Sequence, residues 1–212
     1  MNPRQMHYET LAGTIIKNLA RRRMEGYYCA TVEDAEKLAF SFLTSDCTVS
    51  FGGSMTLEDT GMLTALRHDP GITLLDRAQA KTPEDTKKIY HDALSADFYF
   101  MSTNAITKDG ELVNIDGTGN RVAALIYGPE HVIVMAGMNK VAANVDEALS
   151  RVHGTATPMN CKRLGKNTPC SATGVCSDCL SPDCICNQVV ITRRSGIEGR
   201  IKVILIGEEL GY

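Results

Sequence analysis

The sequence predicts a single three-layer α/β domain over residues 1–212, with a mostly parallel sheet covered by helices and a cysteine-rich insertion at residues 154–187. Three observations predict it. Short β-rich runs alternate with helical segments through the first 150 residues, the sequence form of a sheet whose strands are joined by crossover helices. A chain of 212 residues, 43% hydrophobic and 22% charged, can bury one sizeable core. The periodicity vanishes between Gly154 and Asn187 and then resumes in two β-rich runs, so the irregular stretch interrupts the domain.

At the N-terminal end, Tyr8, Leu11, Ile15, Ile16 and Leu19 stand at helical spacing and predict an amphipathic helix. Strands are expected at Tyr27–Val32, Cys47–Phe51, Ile72–Leu75, Phe98–Met101 and His131–Ala136. Helices fit between them at Glu33–Leu43, Leu57–His68, Pro83–Leu94, Gly119–Tyr127 and Asn144–Val152. Two helices carry start signals, Thr56 followed by Asp59 and Thr82 followed by Pro83. Glu111–Ile115, beside the turn former Asp109-Gly110, reads as a short hairpin arm added to the main sheet. Val189–Thr192 and Ile201–Ile206 complete the strands. Ahead of these two, from Gly154 to Asn187, Pro158, Pro169 and Pro182 with six cysteines predict a loop held by something other than a core.

Charge is unevenly placed. The net charge is -3, yet residues 1–150 carry 14 Lys/Arg against 20 Asp/Glu, and residues 151–200 carry 7 against 3. The basic stretch is also the cysteine-rich one, which points to an anion or an acidic partner there. An acidic chain without tryptophan or an extended basic stripe does not read as a nucleic-acid binder. Apolar runs reach about six residues against the roughly 20 that cross a bilayer, so no membrane span is expected. Lys17 interrupts any signal-peptide core, and the expected location is the cytoplasm. In that reducing compartment, eight cysteines argue for metal ligation or buried thiols before disulfides.

Three motifs stand at expected strand ends, where open parallel sheets bind ligands. In Phe51-Gly52-Gly53-Ser54, bare backbone can approach a phosphate or carboxylate at a helix start, with Glu58 one turn on as an acid/base candidate. The same pattern also describes a capped helix without a ligand. The second motif runs from Ser102-Thr103-Asn104 through Asn114 to Asp116-Gly117-Thr118-Gly119-Asn120-Arg121. Its glycines offer an anion nest, Arg121 can pair a carboxylate or phosphate, and Asp116 is a second acid/base candidate. A dinucleotide fingerprint would need a third glycine. The third, Gly137-Met138-Asn139-Lys140, supplies a lysine that can neutralise an anion or, once desolvated, act as nucleophile or base.

The cysteine run reads Cys161, then Cys170-x5-Cys176-x2-Cys179-x4-Cys184-x-Cys186. Cys170, Cys176, Cys179 and Cys186 are the expected set for one metal centre, zinc or an iron-sulfur cluster. Cys184 is left out because sharing one ion with Cys186 would strain the Pro182 turn. Without a crosslink, these residues have little apolar surface to offset an ordering cost of roughly 1–2 kcal/mol each. Reduced or disulfide-paired thiols are the alternative. Cys29 and Cys47 fall in expected strands and read as core.

The stretch STNAITKDGELVNIDGTGNRVAALIYGPEHVIVMAGMNK, with FGGSMTLEDTG upstream and PCSATGVCSDCLSPDCICN downstream, resembles the lactate-utilisation (LUD domain) family, which includes the C subunit of the bacterial lactate oxidation system. The resemblance implies a fold akin to ribose-5-phosphate isomerase, CoA transferases and the methylthioribose-1-phosphate isomerase group. The last group has a comparable run where this chain has Asn104-Ala105-Ile106, Gly110, Val113-Asn114 and Gly117-Thr118. The implied function is an accessory or redox component in oxidation of lactate or a related small hydroxy acid, working with redox partner subunits and open to oligomerisation. Two alternatives stay open. One is an enzyme acting on a sugar phosphate or CoA ester, and the other is a non-catalytic sensor of a small anionic or phosphate-containing ligand.

Overall fold

The computed structural model describes residues 2–212. In chain order the elements are α1 (Pro3–Arg21), β1 (Glu25–Cys29), α2 (Val32–Ser41), β2 (Thr48–Phe51), α3 (Met55–Asp59), α4 (Met62–His68), β3 (Thr73–Leu75), α5 (Pro83–Asp92), β4 (Phe98–Met101), β5 (Ala105–Thr107) and β6 (Leu112–Asp116). They continue with α6 (Asn120–Ile126), β7 (His131–Gly137), β8 (Val141–Ala142), α7 (Val145–Arg151), α8 (Thr157–Arg163), α9 (Pro169–Thr173), β9 (Gln188–Thr192) and β10 (Ile201–Ile206).

Six strands form an all-parallel sheet in the order β1-β10-β7-β4-β2-β3. Its central strands are covered on both faces, so their residues divide by parity between two cores. Tyr99, Met101, Val132, Val134, Val203 and Leu205 pack on one face with Ala12, Ile15 and Leu19 of α1 and Leu125 of α6. Phe98, Phe100, Ile133, Met135, Ile204 and Ile206 pack on the other with Ala35 and Ala39 of α2 and with Leu57, Met62, Leu63 and Leu66 of α3 and α4. This is the expected α/β architecture with helices on both faces of a parallel sheet. No helix among the described residues is long and apolar enough to cross a membrane.

Several expected details differ. The Glu111–Ile115 arm does not join the main sheet. It becomes β6 of a second, four-stranded sheet in the order β8-β5-β6-β9, antiparallel to β5 and β9. Main-sheet β4 lies between β2 and β7 and has no free edge for an arm. The second sheet buries Ala105, Val113, Ile115 and Ala142 against Ala148, Val152 and Ala156. The helix expected over Leu57–His68 is two helices, because Gly61 adopts φ 71 and resets the chain direction. Its start is Ser54, whose hydroxyl accepts from Leu57 N, and the Thr56 hydroxyl is used elsewhere. Thr82 does cap α5, in a capping box with Asp85 and Pro83 in the first turn. The first strand lies two to three residues earlier than Tyr27–Val32, since Val32 already belongs to α2, capped by Thr31.

The stretch 154–187 is less irregular than its prolines suggested. A π turn at Val152–Ala156 joins α7 to α8, and Pro158 sits in the first turn of α8, where its missing N–H is tolerated. A second short helix, α9, follows Thr168-Pro169 in the same way. Irregular chain is confined to residues 164–168 and 174–187.

Candidate functional site

The turns that leave the carboxyl ends of β2, β3, β4 and β7 converge on one cavity of about 410 Å³. They contribute Gly53 and Ser54, Arg77, Ser102 to Asn104, and Lys140 respectively. The second sheet adds Ile115 to Thr118, with Asn120 and Arg121 from α6. Thr157, Asn160 and Arg163 of α8, then Leu164, Lys166, Cys184 and Ile185, close it from the basic, cysteine-rich stretch. All three strand-end motifs read from the sequence therefore reach one place.

Five basic side chains line this cavity against one acidic side chain, Asp116. Two of the cations are paired with acids. Arg121 Nε lies 3.1 Å from Asp116 Oδ2, and Lys166 Nζ lies 4.0 Å from Asp183 Oδ1. The other three have neutral partners among the described residues. Arg77 donates to the Tyr90 hydroxyl at 3.2 Å, and Arg163 donates to Asn160 Oδ1 at 3.2 and 2.8 Å. Lys140 Nζ donates to Thr56 Oγ1 at 2.7 Å and Ser102 Oγ at 3.1 Å. The cavity therefore carries a surplus of positive charge inside a partly dehydrated wall, which attracts anions.

Arg121, expected to meet a ligand, is instead a hub. Beside its Asp116 bond, Nη1 donates to Asn114 Oδ1 at 2.6 Å and Ser102 O at 3.2 Å. Nη2 donates to Asn104 Oδ1 at 3.0 Å and Ile115 O at 2.9 Å. All five guanidinium hydrogens are thus spent on tying α6 to β6 and to the turn after β4. The expected anion nest is likewise filled from within, because Asp116 Oδ1 accepts from Thr118 N at 3.1 Å and Gly119 N at 2.7 Å. An aspartate heading a glycine-rich turn folds back on its own backbone. Both oxygens of Asp116 are thus engaged, Oδ1 by two backbone amides and Oδ2 by Arg121.

The glycines serve a related purpose. A Cβ on Gly52 would stand 3.0 Å from Arg121 Cγ, and one on Gly53 would collide with the Arg77 guanidinium. Bare backbone here makes room for arginines. Gly117 passes 3.3 Å from Ile185, and Gly137 is hemmed in by the backbone of Glu208 and Leu210. Asn139 also ties down that terminal segment, accepting from Leu210 N at 3.1 Å and donating to Leu210 O at 3.4 Å. Glu58 is exposed and lies outside this cavity, beside a second one shared with Arg67 and Arg77.

Lys140 is the remaining catalytic candidate, and it is buried at 4% exposure while lining the cavity. Burial, reinforced by the charges of Arg151 and Arg121, pulls its ammonium down to about 7. Arg77, Arg163 and Tyr212 line the cavity without having been singled out from the sequence, and Thr56, read there only as a helix start, bonds Lys140. The basic balance of residues 151–200 did signal the region that supplies Arg163 and Lys166.

The four cysteines expected to hold a metal are not gathered together. Cys170 Sγ is 3.3 Å from Thr168 Oγ1, Cys176 Sγ is 3.6 Å from His153 Nδ1, and Cys186 Sγ is 3.7 Å from Thr157 Oγ1. Among the described residues, no three Cys, His, Asp or Glu side chains stand as a metal ligand set. In this arrangement the residues fit neither zinc nor a cluster. All eight cysteines are free thiols, and Cys29 and Cys47 are buried as expected. Burial pushes the Cys186 thiol up to about 11 and raises that of Cys161.

No curated protein matches the chain. Among solved structures, it is similar to the crystal structure of a DUF162 family protein from Deinococcus radiodurans, with 14% identity and a TM-score of 0.52 over 94% of this chain and 98% of that one. That likeness shows the fold. More distant matches include the tetrameric eIF2B-beta2-delta2 complex from C. thermophilum, with 18% identity and a TM-score of 0.37 over 54% and 43% of the two chains. Another is ribose 5-phosphate isomerase from Plasmodium falciparum, with 16% identity and a TM-score of 0.33 over 53% and 52%. The LUD domain model matches residues 13–206, nearly the whole length, so the chain belongs to the LUD domain family and is, at that level, a lactate-utilisation-related protein.

Proposed function

We propose that the chain is an accessory or redox component in the oxidation of lactate or a related small hydroxy acid, and that it binds the anionic substrate or product in the cationic cavity. One observation carries this reading: Arg77 and Arg163 line a single cavity with neutral partners among the described residues. Fixed cations in a recess bind a carboxylate through charge-assisted hydrogen bonds. Partner subunits carry the electrons in this role.

Titration calorimetry at low salt with lactate, pyruvate and glycolate tests the proposal. Saturable binding is expected, about tenfold weaker in Arg163→Gln, since a hydrogen bond to a charged group contributes about 1.5–3 kcal/mol. Absence of binding by all three acids refutes it. Deleting the gene in its host tests lactate itself, because unchanged lactate consumption removes lactate from the assignment.

The cavity volume favours a second reading. About 410 Å³ is within the range of sites for cofactor-sized ligands and exceeds what lactate fills. A sugar phosphate or CoA ester, converted by an isomerase- or transferase-like activity or simply sensed, would use the same cations. Tight binding of ribose 5-phosphate or acetyl-CoA with none of the simple acids would favour it. Turnover then separates enzyme from sensor.

A further inference from the structure

We propose that Lys140 forms a reversible imine with the carbonyl carbon of a 2-oxo acid held in the cavity, the class of product that oxidation of a 2-hydroxy acid yields. The inference rests on the small-acid reading above and names the chemistry of its site.

The argument begins with hydrogen-bond arithmetic at Nζ. Two acceptors face it, Thr56 Oγ1 at 2.7 Å and Ser102 Oγ at 3.1 Å. Each hydroxyl has its own hydrogen engaged elsewhere, Thr56 on Leu210 O at 3.4 Å and Ser102 on Thr103 O at 3.3 Å. Both therefore act as acceptors toward the lysine. A neutral amine, with two N–H groups, is fully satisfied by this pair, whereas an ammonium carries a third N–H that finds no acceptor among the described residues. No carboxylate lies within ion-pair distance of Nζ among the described residues, and burial with the nearby Arg151 and Arg121 outweighs the more distant Asp59 and disfavours the charged form. The lone pair of that amine is the nucleophile.

Position selects this lysine over its neighbour. Lys140 is buried and lines the cavity, while Lys166 in the same lining is 38% exposed at its side chain and lies 4.0 Å from the Asp183 carboxylate. Arg77 and Arg163 supply the positive charge that a 2-oxo acid's carboxylate needs. The step balances without an oxidant. The amine lone pair adds to the carbonyl carbon, a proton moves from nitrogen to the former carbonyl oxygen, and a carbinolamine forms. Loss of that oxygen as water, with the second N–H hydrogen, leaves the C=N bond. Hydrolysis by the same water reverses it.

The test is reductive trapping. The whole chain is incubated at pH 7 with pyruvate and sodium cyanoborohydride, then weighed intact and mapped by peptide. The expected result is one reduced adduct per chain, located on Lys140. Lactate, which has no carbonyl, should bind in calorimetry and leave no adduct. Lys140→Met should lose the adduct, and Lys17→Met, at an exposed lysine of α1 outside the cavity, should keep it. Mapping of the unsubstituted chain decides the matter even if Lys140→Met fails to fold. Lactate and pyruvate binding without an adduct, or an adduct spread over surface lysines, overturns the imine and leaves the small-acid reading standing. No binding of either acid overturns both.

Discussion

Replacing Arg121 with alanine removes five hydrogen bonds from a buried hub in one step. Asp116 keeps its bonds from the Thr118 and Gly119 amides but loses its guanidinium, and a buried pair broken on one side costs about 3–5 kcal/mol. Asn114 is affected too, because its Nδ2 already has no partner and its Oδ1 would lose the 2.6 Å bond from Arg121. That loss moves the total toward the upper end, at about 1–3 kcal/mol for a dry polar group. For a chain of this length, each kcal/mol shifts the melting temperature by about 2–4 °C, so the expected fall is about 6–20 °C. Thermal unfolding followed by circular dichroism measures the fall and urea unfolding the free-energy loss, with an unchanged denaturant slope showing that the two-state comparison is fair. Arg121→Lys should fall between, since one ammonium cannot reach five acceptors in a plane. Adding Asp116→Asn to Arg121→Ala should recover part of the loss, because the stranded charge is then gone. A loss below about 1 kcal/mol in Arg121→Ala would refute the hub, and would mean that cavity water replaces the guanidinium without cost.

Lys140 gives a pH prediction. Its folded value of about 7 lies below an unfolded value of about 10.4, so the native chain binds fewer protons between these limits and stability rises with pH. The slope should approach 1.4 kcal/mol per pH unit and disappear in Lys140→Met, and an unchanged slope in that variant refutes the assignment. Gly53→Ala should keep the fold while pushing Arg77 aside, and calorimetry should read several-fold weaker anion binding; equal affinity would show that Arg77 does not contact the ligand. Cys186 is half-buried, yet with its thiol at about 11 its alkylation at pH 8.5 should be about 100-fold slower than that of a free cysteine of ordinary reactivity, and should keep accelerating to pH 11. Metal analysis of anaerobically purified protein tests the thiol arrangement. Less than one equivalent of zinc or iron is expected, and a full equivalent lost in Cys179→Ser would mean that residues 174–187 fold around a metal instead.

The main sheet was legible because its strands are buried on both faces and separated by amphipathic helices. Phe98–Met101 and Ile201–Ile206 were placed to the residue. The second sheet was not, because β5 and β8 span three and two residues, too short for a period to register. The split at Gly61 was hidden because the apolar residues on either side, Leu57 and Leu63, still pack into one core after the chain turns. Pro158 misled in the opposite direction. Proline reads as a breaker, but a π turn immediately before it relieves the clash and the helical path continues to Arg163.

Recognising which residues gather at the site proved easier than assigning what each one does. Glycine-rich strand ends mark a place where backbone or side chains must approach closely, and that inference led to the cavity from three separate motifs. Composition does not say what approaches. At Gly52 and Gly53 it is Arg121 and Arg77, and at Gly117 to Gly119 it is the carboxylate of Asp116 turned back on its own amides. A sequence cannot distinguish an arginine waiting for a ligand from one whose five hydrogens are already committed, because the acceptors of Arg121 come from residues 102 to 116 through tertiary packing. The same limit works in favour of Lys140. Two hydroxyls, 84 and 38 residues away in sequence, meet its nitrogen, and no pattern along the chain announces that neither is an acid. In the proposed role, anion binding falls to Arg77 and Arg163, whose partners are neutral, and covalent chemistry to Lys140, which folding has dehydrated.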